Sequence, residues 1–284
     1  MKHKVKLQNG DILPAIGQGT WYLGEQPSKL SQEIDSIRAG IDAGQILIDT
    51  AEMYGSGAAE RMIGKAIRPL DRSRLYLVSK VLPEHAGGRK LEMALDASLS
   101  RLGTDYLDLY QYHWRGSYPL AETVRCLEDM KKKGKIRAWG VSNFDIDDCK
   151  ELWSLPGGRN CQVNQVLYHM GSRGIEVELL PWMREHGIAL MSYCPLAQAG
   201  ILNTDLFSNR TLNTIADQHH VPVTQILLSW NIRNGHTIAI PRSSKAEHTL
   251  SNGRADEIEL SKEEFQEIDY VFPAPASKVP LDMR

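Results

Sequence analysis

The chain has 284 residues, of which 42% are hydrophobic and 24% are charged, proportions that are typical of globular proteins and exclude a disordered chain. Its 33 Lys and Arg residues against 35 Asp and Glu residues give a formal charge of -2, which excludes the bulk positive field of a dedicated nucleic-acid-binding protein. No apolar run reaches the roughly 20 residues of a membrane helix, and no signal-peptide core follows the N-terminus. The four cysteines are scattered. We therefore expect a cytoplasmic protein with a single domain over residues 1–284 and no nucleic-acid or membrane partner.

The predicted elements begin with a β-hairpin over residues 5–13, because Asn9-Gly10 at its centre is the strongest short signal for a hairpin turn. After it, strand-like runs alternate with runs in which apolar residues recur at helical intervals. The sequence predicts strands at residues 15–19, 46–48, 75–78, 106–110, 136–141, 161–166, 188–192 and 237–240. It predicts helices at residues 30–41, 58–67, 91–102, 120–130, 211–218, 222–232 and 261–271.

Eight strands separated mostly by helices indicate an α/β fold with parallel strand pairing. Such units close most economically as a (β/α)8 TIM barrel, here with an N-terminal β-hairpin that should plug the bottom and with extra helices. The alternative is an open doubly wound sheet, which normally carries Gly-x-Gly-x-x-Gly after its first strand. Gly17-Gln-Gly19 lacks the third glycine, so the barrel is favoured.

Polar residues follow the predicted strands at the ends where barrel enzymes carry their chemistry. They are Asp49, Lys80, His113, Ser142, Asn143, Gln165, Tyr193 and Arg242. Tyr54 lies five residues after Asp49, in a loop that should overhang the same opening. We expect these side chains to converge on one pocket although they span most of the chain.

Four of these residues are suited to protonating an oxygen atom, namely Asp49, Tyr54, Lys80 and His113. Tyrosine alone is a poor acid because its pKa lies near 10, so we expect the ammonium group of Lys80 to lower the pKa of Tyr54. Asp49 would neutralise Lys80, which is costly to bury without a partner. His113 would orient a substrate carbonyl. With a hydride donor opposite, this set predicts carbonyl reduction.

A metal-dependent barrel hydrolase is an alternative from another class of function. Such an enzyme needs several histidine and carboxylate ligands that converge at strand ends. Here Lys80, Ser142, Gln165 and Tyr193 stand at those positions instead. We therefore expect no bound metal.

Six segments in a characteristic order and spacing indicate a family. They are GQGTW at 17–21, IDTAEMYG at 48–55, LVSK at 77–80, LDLYQYHW at 107–114, GKIRAWGVSN at 134–143 and IPRS at 240–243. With them, the chain resembles the aldo-keto reductases along nearly all its length. GSRG at 171–174 and PLAQAG at 195–200 are most similar to small bacterial members of the methylglyoxal reductase type.

The resemblance implies a (β/α)8 barrel and reversible hydride transfer from NADPH to an aldehyde or ketone. In this reading Tyr54 is the general acid, Asp49 and Lys80 tune it, and His113 orients the carbonyl group. The resemblance also implies a cofactor-binding set made of Thr20, Trp21, Ser142, Asn143, Gln165, Tyr193, Leu196, Arg242, Ser243 and Asn252. Trp21 and Trp114 would contact the substrate.

Within the implied cofactor site, Ser142, Asn143 and Gln165 would bind the nicotinamide carboxamide, and Tyr193 would stack on the ring. Arg242 and Ser243 would hold the adenosine 2′-phosphate, and Asn252 would contact the adenine.

Two departures from the family pattern bear on specificity. Arg242 stands where lysine is commonest, and His248 stands where many members have a second arginine. NADPH is still preferred, because the charge of Arg242 has no partner on NADH. The loop over residues 114–119 is short, so we expect an open pocket that tolerates a range of small aldehydes.

A catalytically silent NADP-binding barrel is the remaining alternative, because some relatives of this type serve as lens crystallins or channel subunits. The intact set of Asp49, Tyr54, Lys80 and His113 argues against lost chemistry. We therefore expect an enzyme whose partner is a small carbonyl compound, and we expect it to be a monomer.

Overall fold

The structure is a computed structural model that describes residues 1–202 and 205–284. Its strands are β1 (Lys4–Lys6), β2 (Ile12–Pro14), β3 (Gln18–Gly19), β4 (Leu47–Asp49), β5 (Tyr76–Val81), β6 (Leu107–Tyr112), β7 (Ile136–Ser142), β8 (Val163–Leu167), β9 (Ala189–Tyr193) and β10 (Thr237–Ala239). Strands β3 to β10 pair in sequence order, each parallel to the next. The predicted strand succession is confirmed.

The sheet closes on itself between β3 and β10. Parallel bridges join Ile16 to Ala239 and Gly19 to Arg242, and the Gly17 amide donates to the Ala239 carbonyl at 2.8 Å. At this seam a Cβ atom on Gly19 would lie 2.6 Å from the Ile240 carbonyl oxygen, so only glycine allows the two strands to approach. The (β/α)8 TIM barrel is therefore confirmed. The first strand is shorter than the predicted 15–19, with Ile16 joined only by an isolated bridge.

The predicted N-terminal hairpin is present as the antiparallel pair β1–β2, with Val5 opposite Leu13. Its turn is made by Asn9-Gly10, and Gly10 adopts a left-handed φ of 93°. The buried side chains of the hairpin share one apolar cluster with residues at the starts of the barrel strands, including Leu47, Tyr76, Val163 and Ala189. The hairpin therefore covers the N-terminal end of the barrel, as predicted.

The helices pack around the outside of the barrel. They are α1 (Leu30–Asp42), α2 (Ala58–Ile67), α3 (Gly88–Leu102), α4 (Leu120–Lys132), α5 (Ile146–Ser154), α6 (Leu179–Glu185), α7 (Asp205–Ser208), α8 (Arg210–Gln218), α9 (Val223–Ile232), α10 (Ala246–Arg254) and α11 (Lys262–Val271). In α2 the buried residues Met62, Ile63 and Ala66 recur at helical spacing, which gives the helix one apolar face toward the barrel. All seven predicted helices are confirmed.

The connections after β9 contain the extra helices that the sequence predicted, together with the short α7. The first turn of α11 is fixed by a capping box between Ser261 and Glu264, which satisfies backbone amides that a helix start otherwise leaves free. Across the two described ranges, none of the helices combines the length and the apolar character that a membrane span requires.

Candidate active site

The C-terminal ends of the barrel strands open into a cavity of about 570 Å³. The residues that line it include eleven that the sequence had singled out, namely Thr20, Trp21, Asp49, Tyr54, His113, Ser142, Asn143, Gln165, Tyr193, Leu196 and Arg242. Residues up to 222 positions apart in the chain therefore meet in one place, as expected from parallel strands that all end at the same face.

The floor of the cavity follows from the two-residue repeat of the strands. Side chains two residues apart point to the same side of a strand, so a polar residue that follows an inward apolar one also points into the barrel. The inward apolar layer contains Leu47, Val78, Leu109, Val163 and Met191. Two residues later on the same strands stand Asp49, Lys80, Gln111, Gln165 and Tyr193. Within two residues along each of these strands, the barrel interior therefore changes from apolar to polar. The polar layer forms the floor of the cavity.

Lys80 is fully buried beneath the cavity, and its ammonium group contacts three neighbours. Its Nζ lies 2.8 Å from both carboxylate oxygens of Asp49 and 2.8 Å from the Thr50 carbonyl oxygen. It also donates to the Tyr54 hydroxyl at 3.1 Å. The three ammonium hydrogens therefore have three neighbouring groups as acceptors. One of these acceptors is the Tyr54 hydroxyl.

Tyr54 is held in a tight loop after β4. Its backbone amide donates to the Ala51 carbonyl at 3.1 Å, and its side chain is only 8% exposed. The ring stands edge-on to His113, with centroids 6.0 Å apart. It also lies 6.3 Å from the ring of Trp21. The hydroxyl group is thus placed between the buried Lys80 ammonium and the cavity.

The expected decrease in the pKa of Tyr54 is not found in the structure. Burial raises the pKa of Tyr54 well above its usual value, and the nearby Asp49 carboxylate raises it further. The main cause is the loss of solvation that a phenolate would suffer in this buried site, and the attraction of the Lys80 ammonium does not offset it. Burial likewise lowers the pKa of Lys80 and raises that of Asp49, with each partner opposing the change in the other. Tyr54 is therefore a protonated phenol at neutral pH.

His113 is also neutral. Burial and the charge of Lys80 lower its pKa to about 2. Its Nδ1 atom is buried and has no hydrogen-bond partner within the described ranges, so a hydrogen there would be left without an acceptor. The tautomer with hydrogen on Nε2 avoids that cost. His113 therefore offers a single N–H donor on the side of the ring away from the buried Nδ1.

A second group of cavity residues is joined by hydrogen bonds. The Tyr193 hydroxyl donates to Asn143 Oδ1 at 2.9 Å, and Asn143 Nδ2 donates to the His113 carbonyl at 3.2 Å. The Ser142 hydroxyl donates to the Gln165 carbonyl at 2.9 Å. Asn143 has a positive φ of 58°, a conformation that asparagine tolerates better than most residues. This network fixes the amide groups of one cavity wall.

The side chain of Gln165 turns toward the polar floor. Its Nε2 donates to Asp49 Oδ1 at 2.9 Å and to Gln111 Oε1 at 3.0 Å. Its amide oxygen has no protein partner among the residues that the structure describes. Gln165 therefore connects the cavity wall to the Asp49–Lys80 pair.

Four of the sequence-derived residues do not line the cavity. Lys80 lies beneath it, in contact with Tyr54. Ser243 bonds within its own turn, its hydroxyl donating to the Lys245 carbonyl at 2.8 Å, and Asn252 is buried in α10. Trp114 packs against His113 with the two rings tilted and their centroids 4.6 Å apart. Arg242 is exposed, and only its Nε donates within the described part of the protein, to the Trp21 carbonyl at 3.0 Å.

Sequence reasoning missed several residues that line the cavity. They are Tyr22, Met53, Cys194, Gln198, Ile201 and Arg284, of which Met53 and Gln198 lie within motifs quoted above but were given no role. Tyr22 has a positive φ of 65° and stacks on Trp21 with centroids 4.5 Å apart. Its position beside Trp21 was an available signal, whereas nothing local to Arg284 indicated that it reaches the cavity. No group of three or more His, Cys, Asp or Glu side chains suited to a metal occurs in residues 1–202 and 205–284.

Comparisons with known proteins agree with this geometry. Residues 15–272 match the model of the aldo/keto reductase family. Over 284 residues the chain is 50% identical to methylglyoxal reductase YeaE of Escherichia coli (strain K12), with all of both chains covered. It is 35% identical to glyoxal reductase of Bacillus subtilis (strain 168), covering 95% of this chain and 92% of that protein.

A solved structure is also similar over its full length. It is the crystal structure of an aldo/keto reductase from Klebsiella pneumoniae in complex with NADP and acetate, which superimposes with a TM-score of 0.98 at 48% identity and covers 100% of each chain. The chain belongs to the aldo/keto reductase family.

Proposed function

We propose that this protein reduces small aldehydes and ketones to alcohols with NADPH, that Tyr54 is the general acid, and that methylglyoxal-like 2-oxoaldehydes are favoured substrates. One observation carries the proposal: the Lys80 ammonium lies 3.1 Å from the Tyr54 hydroxyl at the floor of a cavity that His113 also lines. The names of the relatives, methylglyoxal reductase and glyoxal reductase, support the substrate class. The bound NADP of the Klebsiella protein supports the cofactor.

The raised pKa of Tyr54 suits the reduction. As negative charge develops on the carbonyl oxygen, that oxygen becomes a stronger base than a phenolate, so a protonated Tyr54 can transfer its proton downhill. The phenolate that remains lies 3.1 Å from the Lys80 ammonium, which stabilises the new charge in a buried site. His113 donates from Nε2 and holds the carbonyl oxygen toward Tyr54.

The cavity wall fits a nicotinamide. The amide groups of Asn143 and Gln165 and the hydroxyl of Ser142 provide donors and acceptors for a carboxamide, and the Gln165 amide oxygen has no protein partner within the described residues. The half-buried ring of Tyr193 offers an apolar face for stacking. When bound, NADPH supplies the hydride. The short loop between β6 and α4 leaves the mouth open to substrates of different size.

An absorbance assay with purified protein tests the proposal. NADPH oxidation should be seen with methylglyoxal and with several bulkier aldehydes, with kcat/KM values within about a hundredfold of one another. One methylene in a closed hydrophobic pocket already changes kcat/KM by about 10–200-fold, and an open mouth should discriminate no more strongly than that. The matched control is Tyr54→Phe, which keeps the cavity shape. Quenching of NADPH fluorescence without oxidation by any aldehyde would favour a silent cofactor-binding protein, and a sharp optimum for one substrate would contradict the open pocket.

Arg242 should select NADPH over NADH. Its terminal guanidinium nitrogens have no protein partner in the described ranges, and such a planar fork is suited to a phosphate. We expect Arg242→Ala to raise the KM for NADPH about tenfold to a hundredfold, the range for bonds to charged groups, and to change the KM for NADH little. Steady-state kinetics with both cofactors provide the test. Equal changes for the two cofactors would contradict the assignment.

Three further properties stay predictions from the sequence. They are a single domain over residues 1–284, a monomeric state and a cytoplasmic location. The roles of Ser243 and Asn252 toward the adenosine end of the cofactor, of Thr20, Trp21 and Leu196 beside the nicotinamide, and of Trp21 and Trp114 toward the substrate are proposals of the same kind.

A further inference from the structure

Gln111 is a fully buried amide on the polar floor of the barrel, beneath the residues that line the cavity. It follows the inward-facing Leu109 by two residues on β6. Its Oε1 accepts a hydrogen bond from Gln165 Nε2 at 3.0 Å. Its own Nε2 is buried and has no hydrogen-bond partner among the residues that the structure describes. The amide oxygen is therefore the atom through which Gln111 acts on its surroundings.

The amide nitrogen of Gln165 carries two hydrogens, and each of them has an acceptor. Nε2 lies 2.9 Å from Asp49 Oδ1 and 3.0 Å from Gln111 Oε1. The thioether sulfur of Met191, a weaker acceptor, also lies 2.9 Å away. Turning the Gln165 amide over would place its oxygen against the Asp49 carboxylate, which has no hydrogen to donate. The nitrogen is therefore held toward the floor, and the oxygen is left toward the cavity that Gln165 lines.

An amide oxygen in this place offers an acceptor to a carboxamide. The NH2 group of a nicotinamide needs acceptors for its two hydrogens. The neighbouring amide oxygen, Asn143 Oδ1, already accepts from the Tyr193 hydroxyl at 2.9 Å. Gln165 Oε1, in contrast, has no protein partner within the described residues. It is therefore available to the carboxamide NH2.

We propose that Gln111 is a positioning residue for cofactor binding. Its oxygen takes the second hydrogen of the Gln165 amide and so keeps the Gln165 oxygen turned toward the carboxamide NH2 of NADPH. The inference rests on the proposed function, because it concerns the cofactor of that reaction. Without the Gln111 oxygen, one Gln165 hydrogen would be left in a buried place with only a weak acceptor, at a cost. Turning the nitrogen toward the cavity would avoid that cost, but it would place a donor where the cofactor needs an acceptor.

Gln111→Met tests the proposal, because it removes the amide oxygen and keeps most of the side-chain volume. The two ligands are NADP+ and its 3-acetylpyridine analogue, in which a methyl group replaces the carboxamide NH2. We expect the wild type to prefer NADP+ over the analogue. The variant should lose about fivefold of this preference, the usual worth of one neutral hydrogen bond. Calorimetric titration gives both Kd values without turnover.

Gln162→Met is the matched control. Gln162 is also a buried glutamine, but it lies at the opposite end of the barrel, before β8. Its Oε1 accepts from the Asn9 amide at 2.9 Å, and its Nε2 donates to the Asn160 carbonyl at 2.8 Å. This variant also loses buried hydrogen bonds, so it controls for a general loss of stability. It should leave the preference for NADP+ unchanged.

The outcomes are distinct. An unchanged preference in Gln111→Met, or an equal loss of affinity for both ligands, overturns the inference. If Gln111→Met does not fold, Gln111→Asn withdraws the oxygen by one methylene and should reduce the preference in the same direction, and an unchanged preference there overturns the inference too. A wild type that binds both ligands equally overturns the positioning role alone. A wild type that does not bind NADP+ overturns the proposed cofactor, and the inference with it.

Discussion

Replacing Tyr54 with phenylalanine should lower kcat for carbonyl reduction about 10³-fold, within the range typical of a lost general acid. The hydroxyl is the group that lies between the Lys80 ammonium and the cavity, at 3.1 Å from Nζ, and phenylalanine has no proton to transfer. NADPH affinity should stay nearly the same, because the ring and its packing are kept. Stopped-flow or steady-state absorbance gives the rate, and NADPH fluorescence titration gives the affinity.

A second buried tyrosine provides the control for the Tyr54 variant. Tyr110 is fully buried in the packing between the barrel and its helices, and its hydroxyl has no partner within the described residues. Tyr110→Phe removes the same atom from a place outside the cavity and should leave kcat unchanged. If Tyr54→Phe keeps more than about a tenth of the wild-type rate, another group donates the proton.

Lys80→Met should reduce the free energy of unfolding by about 3–5 kcal/mol, the usual cost of removing one partner of a buried ion pair. Without the ammonium group, the Asp49 carboxylate is left 2% exposed with Gln165 as its donor. Urea unfolding followed by circular dichroism would measure the loss. Turnover should fall as well, since the phenolate of Tyr54 would lose its stabilising cation.

The pH dependence of the Lys80→Met variant has a definite sign. Burial raises the pKa of Asp49 even with Lys80 present, and removing the cation raises it further. A carboxyl group with a higher pKa in the folded protein than in the unfolded chain favours the fold as pH falls. The variant should therefore be less destabilised, relative to wild type, at pH 5 than at pH 8.

The double variant Asp49→Asn with Lys80→Met separates charge from packing. Removing both charges leaves no uncompensated ion, so the double variant should be more stable than Lys80→Met alone. Activity should not return with stability, because Tyr54 still lacks its cation. A double variant less stable than the single variant would show that packing, and not the unpaired charge, accounts for the loss.

The sequence predicted the barrel because its two main signals are local. Short strand-like runs marked the strands, and apolar residues that recur at helical intervals, such as Met62 and Ala66, marked the helices between them. Asp49, Lys80 and His113 could be placed at one opening because every parallel strand ends at the same face. The motifs that resemble the family predicted which residues would contact a cofactor, and two of these, Asn143 and Tyr193, line the cavity.

The pKa of Tyr54 could not be predicted from residue types. The presence of Lys80 suggested a decrease, but the sign depends on how deeply the phenol is buried and on how near the Asp49 carboxylate lies to it. Those quantities are distances and exposures, which spacing along the chain does not contain. The direction of the Gln165 side chain, toward Asp49 and Gln111, was hidden for the same reason.

The sequence by itself determined which strands form, in what order they pair, and which chemical groups reach the open end of the barrel, because each of these follows from local periodicity and chain order. Only the tertiary structure decided that Tyr22 and Arg284 border the cavity and that Tyr54 keeps its proton. These outcomes depend on contacts between segments far apart in the chain, where burial and charge compensation are set by three-dimensional distance.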